Sequence, residues 1–129
     1  MGTVPGGIRD RHHILYPHRI WRAQPAKIRD LRGGFAVKIN KALHGQLHRE
    51  IDQLLGEDVD ESYLPAESTL EFITNNYFAN EAIINELDTI AKIDWLLKNI
   101  SDKDPRNQWL RMMLSHQREF LKTNSEGLM

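Results

Sequence analysis

The sequence contains no cysteine, few aromatic residues and no long apolar run. Without cysteine there are no disulfides, no thiolate metal sites and no cysteine nucleophile, so any metal must be held by nitrogen and oxygen ligands. No stretch approaches the roughly 20 apolar residues of a membrane span. The first seven residues also lack the basic and apolar parts of a signal peptide. We therefore expect a cytoplasmic protein without membrane contact, and 129 residues suit one compact domain.

The net charge of −1 hides a strong asymmetry along the chain. Residues 1–50 carry ten Lys and Arg against three Asp and Glu, whereas residues 51–129 carry seven against fifteen. A basic half suits a polyanion such as nucleic acid, because Lys and Arg neutralise phosphates and release their counterions. Attraction between the two halves within the fold is the alternative interpretation. The dense negative stretch over residues 50–61 could mask the basic face, bind a basic protein partner or only keep the molecule soluble.

The basic half predicts a small mixed unit of strands and helices. The short apolar and aromatic run at residues 12–21 indicates an irregular strand or turn. A short helix over residues 25–31 begins at a proline and is followed by a glycine pair, and residues 35–39 alternate like a strand. Asn40 is a good N-cap for a helix over residues 41–55, which a glycine ends.

The acidic half predicts helices only, after an exposed acidic linker. Ser68 and Glu71 have the spacing of a capping box, and Asn80 is placed to cap a long helix that reaches about residue 100. Asp104 followed by proline predicts a third helix start. The expected fold is therefore α+β and mostly helical. Its two parts, which can pack as one domain, are a basic unit over residues 1–56 and an acidic helical region over residues 57–129.

Two histidine clusters carry most of the chemical information, because they hold four of the six histidines. His12 and His13 are adjacent in the first apolar run, and His44 and His48 are four residues apart on a predicted helix. Imidazoles at i and i+4 project from one face of a helix, where both can reach a single ion. The alternative is that these side chains cap helices, form hydrogen bonds or lie on a hydrated surface.

This arrangement resembles the HNH nucleases, the ββα-metal or His-Me finger family, over residues 10–52. The resemblance lies in the His-His pair, the strand that follows it and the helix with two histidines. It implies a small ββα-metal-like N-terminal unit, which would pack with the C-terminal three-helix region that the helical patterns predict. Its implied metal ligands are His12, His44 and His48, which would hold a divalent ion such as Zn, Ni, Mn or Mg. His13 would be the general base of a metal-dependent endonuclease that cleaves DNA phosphodiester bonds.

The chain departs from the family pattern at one position. The family's middle Asn, which orients the general base, would fall near Phe35. Asn40 is the only asparagine nearby, and its position is typical of a helix cap. A catalytically inactive relative is therefore the second hypothesis, with a structural metal and acidic helices that bind or inhibit a partner associated with nucleic acid. Asp10 is a further ligand, an acceptor for a ligand, or an exposed turn residue.

DNA binding would depend on cationic side chains in the basic half. Tyr16 and Trp21 are available either for stacking on bases or for packing in the core. A homodimer through the helical region is a further expectation that the resemblance raises. The expected phosphate contacts, of which Arg11 is the best single candidate, are Arg11, Arg19, Arg22, Lys38 and Lys41.

Overall fold

The computed structural model describes residues 9–15, 21, 24–56 and 64–124. Within these ranges two strands and six α-helices follow one another, which confirms the expected α+β, mostly helical fold. A 3-10 turn at Pro105–Asn107 precedes the last helix. The elements are β1 (Arg9–His13), α1 (Ala26–Gly34), β2 (Ala36–Asn40), α2 (Lys41–Leu55), α3 (Glu67–Ala79), α4 (Glu81–Asn85), α5 (Thr89–Asn99) and α6 (Gln108–Thr123).

Strands β1 and β2 pair in antiparallel register, with His12 opposite Val37 and Arg11 opposite Lys38. Successive side chains of a strand point to opposite faces of the sheet, so this register gives the hairpin two different faces. One face is turned toward the protein interior and carries His12 and Ile39, both without solvent exposure. The other face is exposed and carries Arg11 and Lys38. The predicted strand at residues 35–39 is thus confirmed with its bounds shifted by one residue.

Helix α2 follows β2 directly, because Asn40 ends the strand and caps the helix. The Oδ1 of Asn40 accepts hydrogen bonds from two backbone N–H groups of the first turn, at 2.9 and 3.4 Å. Leu47, Ile51 and Leu55 recur at helical spacing and are buried. The helix ends at Gly56, whose φ of 78° is a left-handed backbone that favours glycine. The predicted bounds of this helix and both of its ends are confirmed.

The start of helix α3 differs from the prediction. The helix begins at Glu67 after Ala66, and no side chain caps it. Ser68 therefore lies inside the first turn and not at its start, so the capping box predicted from Ser68 and Glu71 is wrong. An N-cap residue must precede the helix, because its side chain accepts hydrogen bonds from the free N–H groups of the first turn. Ser68 is itself a residue of that turn, so its hydroxyl is not in the position of a cap.

The long helix predicted over residues 81–100 is also wrong, because the chain forms two helices there. Helix α4 ends at Asn85, and α5 starts anew at Thr89. Asp88 caps α5 by accepting a hydrogen bond from the backbone N–H of Ala91 at 2.8 Å. The side chain of Asn80 does not cap α4 but donates to a carbonyl in the preceding turn of α3. A second strong cap inside an apolar run thus stops the helix that the periodicity alone would continue.

The buried apolar side chains form one cluster that draws on both the basic and the acidic part of the chain. Its aromatic centre is Phe35, whose ring centroid lies 5.5 Å from that of Trp95 and 5.5 Å from that of Tyr77. Trp21 is buried in the same cluster, so its aromatic ring contributes to the core. Residues 1–8, Tyr16 and the predicted linker at residues 57–61 lie outside the described residues.

The glycine pair at the end of α1 offers a test of this packing. A Cβ at Gly34 would overlap the side chain of Tyr77, whereas a Cβ at Gly33 meets nothing within 4 Å. We expect Gly34→Ala to lower the free energy of unfolding by about 1–3 kcal/mol, as overpacking does. Gly33→Ala should be neutral or stabilise the protein by up to about 1 kcal/mol, because alanine favours the helical backbone. Urea denaturation measures both, and equal stability of the two variants would contradict this packing.

Candidate metal centre

Three imidazoles from two elements meet on the inner side of the hairpin. His12 projects from the buried face of β1, and His44 and His48 project from one face of α2, one turn apart. The ring centroid of His12 lies 5.1 Å from that of His44 and 5.4 Å from that of His48, and the two helical rings are 4.4 Å apart. One ring nitrogen of each lies within 4.8 Å of one from each of the others. The structure thus brings together the three predicted ligands.

These spacings suit a shared ion. Two nitrogens bound to one tetrahedral zinc at about 2.1 Å would lie about 3.4 Å from each other. Since the three nitrogens already lie within 4.8 Å of one another, small side-chain rotations would bring them to that separation. The histidines therefore lie close enough to hold a metal ion.

His12 is the most deeply buried member of the cluster, with no exposed surface. Its Nε2 lies 2.7 Å from the Oε1 of Gln117 on α6. Its Nδ1 is buried and has no hydrogen-bond partner among the described residues. Burial lowers the pKa of His12 to about 4, against the raising effect of the Gln117 hydrogen bond. The ring is therefore neutral at pH 7, which is the form that binds metals.

The Nδ1 of His44 lies within hydrogen-bond distance of a carboxylate. Its Nδ1 lies 3.0 Å from the Oδ2 of Asp10 on β1. Because a carboxylate accepts and does not donate, this Nδ1 carries the hydrogen, and Nε2 keeps the lone pair. Carboxylates bound to the far nitrogen of a metal-ligating histidine orient the ring and raise its basicity. Of the roles considered for Asp10, the structure supports that of acceptor for a ligand.

His48 completes the group from the second turn of the same helical face. Its Nε2 is shielded from solvent. Burial lowers the pKa of His48, as does the neighbouring His44, while the carboxylate of Asp52 acts in the opposite direction. Three imidazoles bound to one tetrahedral ion would leave one position for water or substrate, a ligand number found in zinc sites with three protein ligands.

The predicted general base has a different placement. His13 is the last residue of β1, and strand alternation turns its side chain toward the hairpin face opposite to that of His12. Its role as base stays a prediction. Phe35, near which the resemblance would place an orienting Asn, is fully buried against Trp95 and has no polar side-chain group. Asn40 is engaged as the cap of α2.

The predicted phosphate contacts fall into two groups. Arg11, Lys38 and Lys41 are exposed on the hairpin and at the start of α2. Burial lowers the pKa of Arg32, and the charge of Arg11 lowers it further, so these two cations share one region of positive potential. Contact with nucleic acid stays a prediction for all of these residues. Arg19 and Arg22 lie outside the described residues.

Gln117 is the residue of the site that the sequence did not reveal. It is fully buried in α6, where it contacts both His12 and the carbonyl of Ile14. The available signal was a polar residue within an apolar stripe, since Leu110, Leu114 and Leu121 occupy the same face of the helix. The sequence does not show the partner of Gln117 on β1, so this position alone gave no reason to assign a role to the residue.

Comparison with known protein families, with curated proteins and with solved structures found no match to this chain. Among the helices that the structure describes, none combines the length and the apolar character that a membrane crossing requires.

The shifted pKa of His12 predicts an acid-sensitive fold. In the folded protein this pKa is about 4, below the value near 6.5 of an exposed histidine, so the unfolded chain binds the proton first. The contribution of His12 to the free energy of unfolding is greatest above pH 6.5, where the ring is neutral in both the folded and the unfolded state. This contribution decreases as the pH falls toward 4. With a chelator present, we expect a loss on the order of 2 kcal/mol between pH 7 and pH 5. The His12→Leu variant should lose less over that range, and equal losses in urea denaturation would contradict the assignment.

Proposed function

We propose that the protein is a metal-dependent endonuclease of HNH-like type that cleaves DNA phosphodiester bonds. The observation that carries the proposal is the cluster of His12, His44 and His48, formed between the first strand of an antiparallel pair and the helix that follows the second strand. Strand, strand and helix in this order, with ligands at these places, are what the resemblance to the ββα-metal family implies. Here helix α1 is inserted between the two strands.

The donor set favours a transition metal. Imidazole nitrogens suit zinc, nickel and related ions, whereas magnesium prefers oxygen ligands and retains several waters. The buried Nδ1 of His12 supports the same interpretation, because a polar atom without a hydrogen bond is costly in the interior and metal coordination would remove that cost. Asp10 would hold His44 in the orientation that coordination needs.

A bound divalent ion would supply Lewis-acid stabilisation of the negative charge on the phosphate and on the leaving oxygen. The chain's own residues would provide the remaining functions. His13 would take the proton of the attacking water, for which its side chain must reach around the end of β1 to the side of the histidine cluster and its imidazole must be neutral near pH 7. Arg11 and Lys38, which pair across the exposed face of the hairpin, would bind backbone phosphates and position the duplex.

A second candidate function is favoured by one specific observation. The position of the orienting Asn is occupied by Phe35, which is wholly committed to the aromatic core. A protein that keeps the metal for stability and has lost the chemistry would show this substitution. Its acidic helices α3 and α4, with exposed Glu67, Glu71 and Glu81, would then bind a basic protein partner.

Plasmid cleavage over a panel of divalent ions distinguishes the two functions. For the endonuclease we expect nicking with at least one of zinc, nickel, manganese or magnesium, and loss of at least 100-fold in rate for His13→Ala, as removal of a general base causes. The His48→Ala variant should lose both cleavage and one equivalent of bound metal. Metal binding is measured in parallel by calorimetry.

His116→Ala is the matched control for these variants, since His116 is bound to Glu50 and lies outside the cluster. It should cleave and bind metal like the wild type. Cleavage by His13→Ala at the wild-type rate would remove the assigned base. Metal binding without cleavage under any ion would support the structural role, and absence of both would refute the metal centre.

The exposed face of the hairpin predicts how the protein binds DNA. Removing both cations with Arg11→Gln and Lys38→Gln should weaken binding to duplexes of any sequence. The slope of log affinity against log salt concentration should fall by about 2, since each phosphate contact contributes about 0.9. Lys103→Gln, an exposed cation of the acidic part, serves as the control. Fluorescence anisotropy at several salt concentrations measures the slope, and an unchanged slope in the double variant would exclude this face from DNA binding.

A further inference from the structure

The two hydrogen-bond partners of Gln117 determine the orientation of its side-chain amide. Its Nε2 lies 2.9 Å from the carbonyl oxygen of Ile14. A carbonyl can only accept, so the NH2 end of the amide must face Ile14 and the oxygen must face the other way. That oxygen lies 2.7 Å from the Nε2 of His12. The side chain of Gln117 is fully buried, so water does not compete for either contact.

This orientation determines the tautomer of His12. The Oε1 of Gln117 can only accept, so the Nε2 of His12 must carry its hydrogen. A neutral imidazole has one N–H, and the lone pair therefore lies on Nδ1. Nδ1 is also the atom of His12 that is buried without a hydrogen-bond partner among the described residues. The nitrogen left able to coordinate is thus the one that protein groups leave unsatisfied.

We propose that Gln117 is a positioning residue that locks His12 in the tautomer with hydrogen on Nε2, makes Nδ1 the ligand atom and couples the docking of helix α6 to metal affinity. The inference rests on the metal centre proposed above and adds a means of regulating it. Helix α6 reaches the site from the other end of the chain, 105 residues away from His12. Any partner that displaced α6 would release His12 and weaken metal binding, and bound metal would in turn stabilise the docked helix.

The test compares two substitutions of Gln117. Gln117→Met keeps the length of the side chain but offers only a weak acceptor, so the Nε2–H of His12 loses its partner. We expect zinc affinity, measured by chelator competition, to fall 10- to 100-fold, as it does when groups that orient a ligand are removed. Gln117→Glu still accepts from Nε2–H but cannot donate to Ile14. It should therefore bind zinc more tightly than Gln117→Met.

A spectroscopic measurement separates positioning from a general loss of structure. In the metal-free protein, nitrogen-15 NMR of the imidazoles should show His12 with hydrogen on Nε2 in the wild type and in Gln117→Glu. The Gln117→Met variant should show a mixture of tautomers. His116→Ala removes the contact of α6 to Glu50 on α2 but leaves the Gln117–His12 hydrogen bond in place, so the tautomer of His12 should not change.

The outcomes distinguish this inference from the function on which it rests. Wild-type protein that binds no zinc would refute the metal centre itself. Wild-type protein that binds zinc with the same affinity as Gln117→Met, or a wild-type His12 with hydrogen on Nδ1, would overturn the role of Gln117. Should Gln117→Met fail to fold by circular dichroism, the tautomer of wild-type His12 and its retention in Gln117→Glu decide the question.

Discussion

The burial of the His12 imidazole is the constraint on which the rest of the site depends. A ring with two polar nitrogens has been placed where water cannot reach it, and each nitrogen needs a partner to offset its desolvation. One partner is supplied by Gln117 of α6, whereas the other nitrogen has no hydrogen-bond partner among the described residues, and the ring packs against the two histidines of α2. Strand β1 is thereby held between two helices that are far apart in the chain. The His12 side chain therefore takes part both in the packing of the interior and in the candidate metal site.

Because successive side chains of a strand point to opposite faces, the hairpin carries different side chains on its two faces. Side chains directed inward, Asp10 and His12, belong to the histidine cluster, whereas Arg11 and Lys38 point outward as cations. Two cations of the basic half, Arg11 and Lys38, therefore lie on the hairpin face that does not carry the candidate ligands. Under the function proposed above, a nucleic acid bound to that face would reach the histidine cluster only around the edge of the hairpin, near the end of β1 where His13 lies.

The sequence predicted a helix cap correctly where only one residue was placed to act as the cap. Asn40 follows a strand and precedes a regular apolar stripe, and it caps α2 as predicted. Ser68 and Asn80 failed as side-chain caps for different reasons. The chain enters α3 before Ser68, and Asp88 restarts a helix that Asn80 was expected to begin. Capping energies of about 1 kcal/mol are similar for all these residue types, so tertiary packing selects among them.

The sequence by itself determined the pairing of His44 with His48, because helical periodicity places residues at i and i+4 on one face wherever the helix lies. It also determined that Arg11 and His12, as adjacent residues, would lie on opposite faces of any strand that contains both. Only the tertiary structure decided that His12 meets that helix, that Asp10 holds His44 and that Gln117 holds His12. These contacts join residues 34 and 105 positions apart, and no local pattern encodes them. Their existence depends on how the hairpin, α2 and α6 bury their apolar faces against one another, which is a property of the whole packed chain.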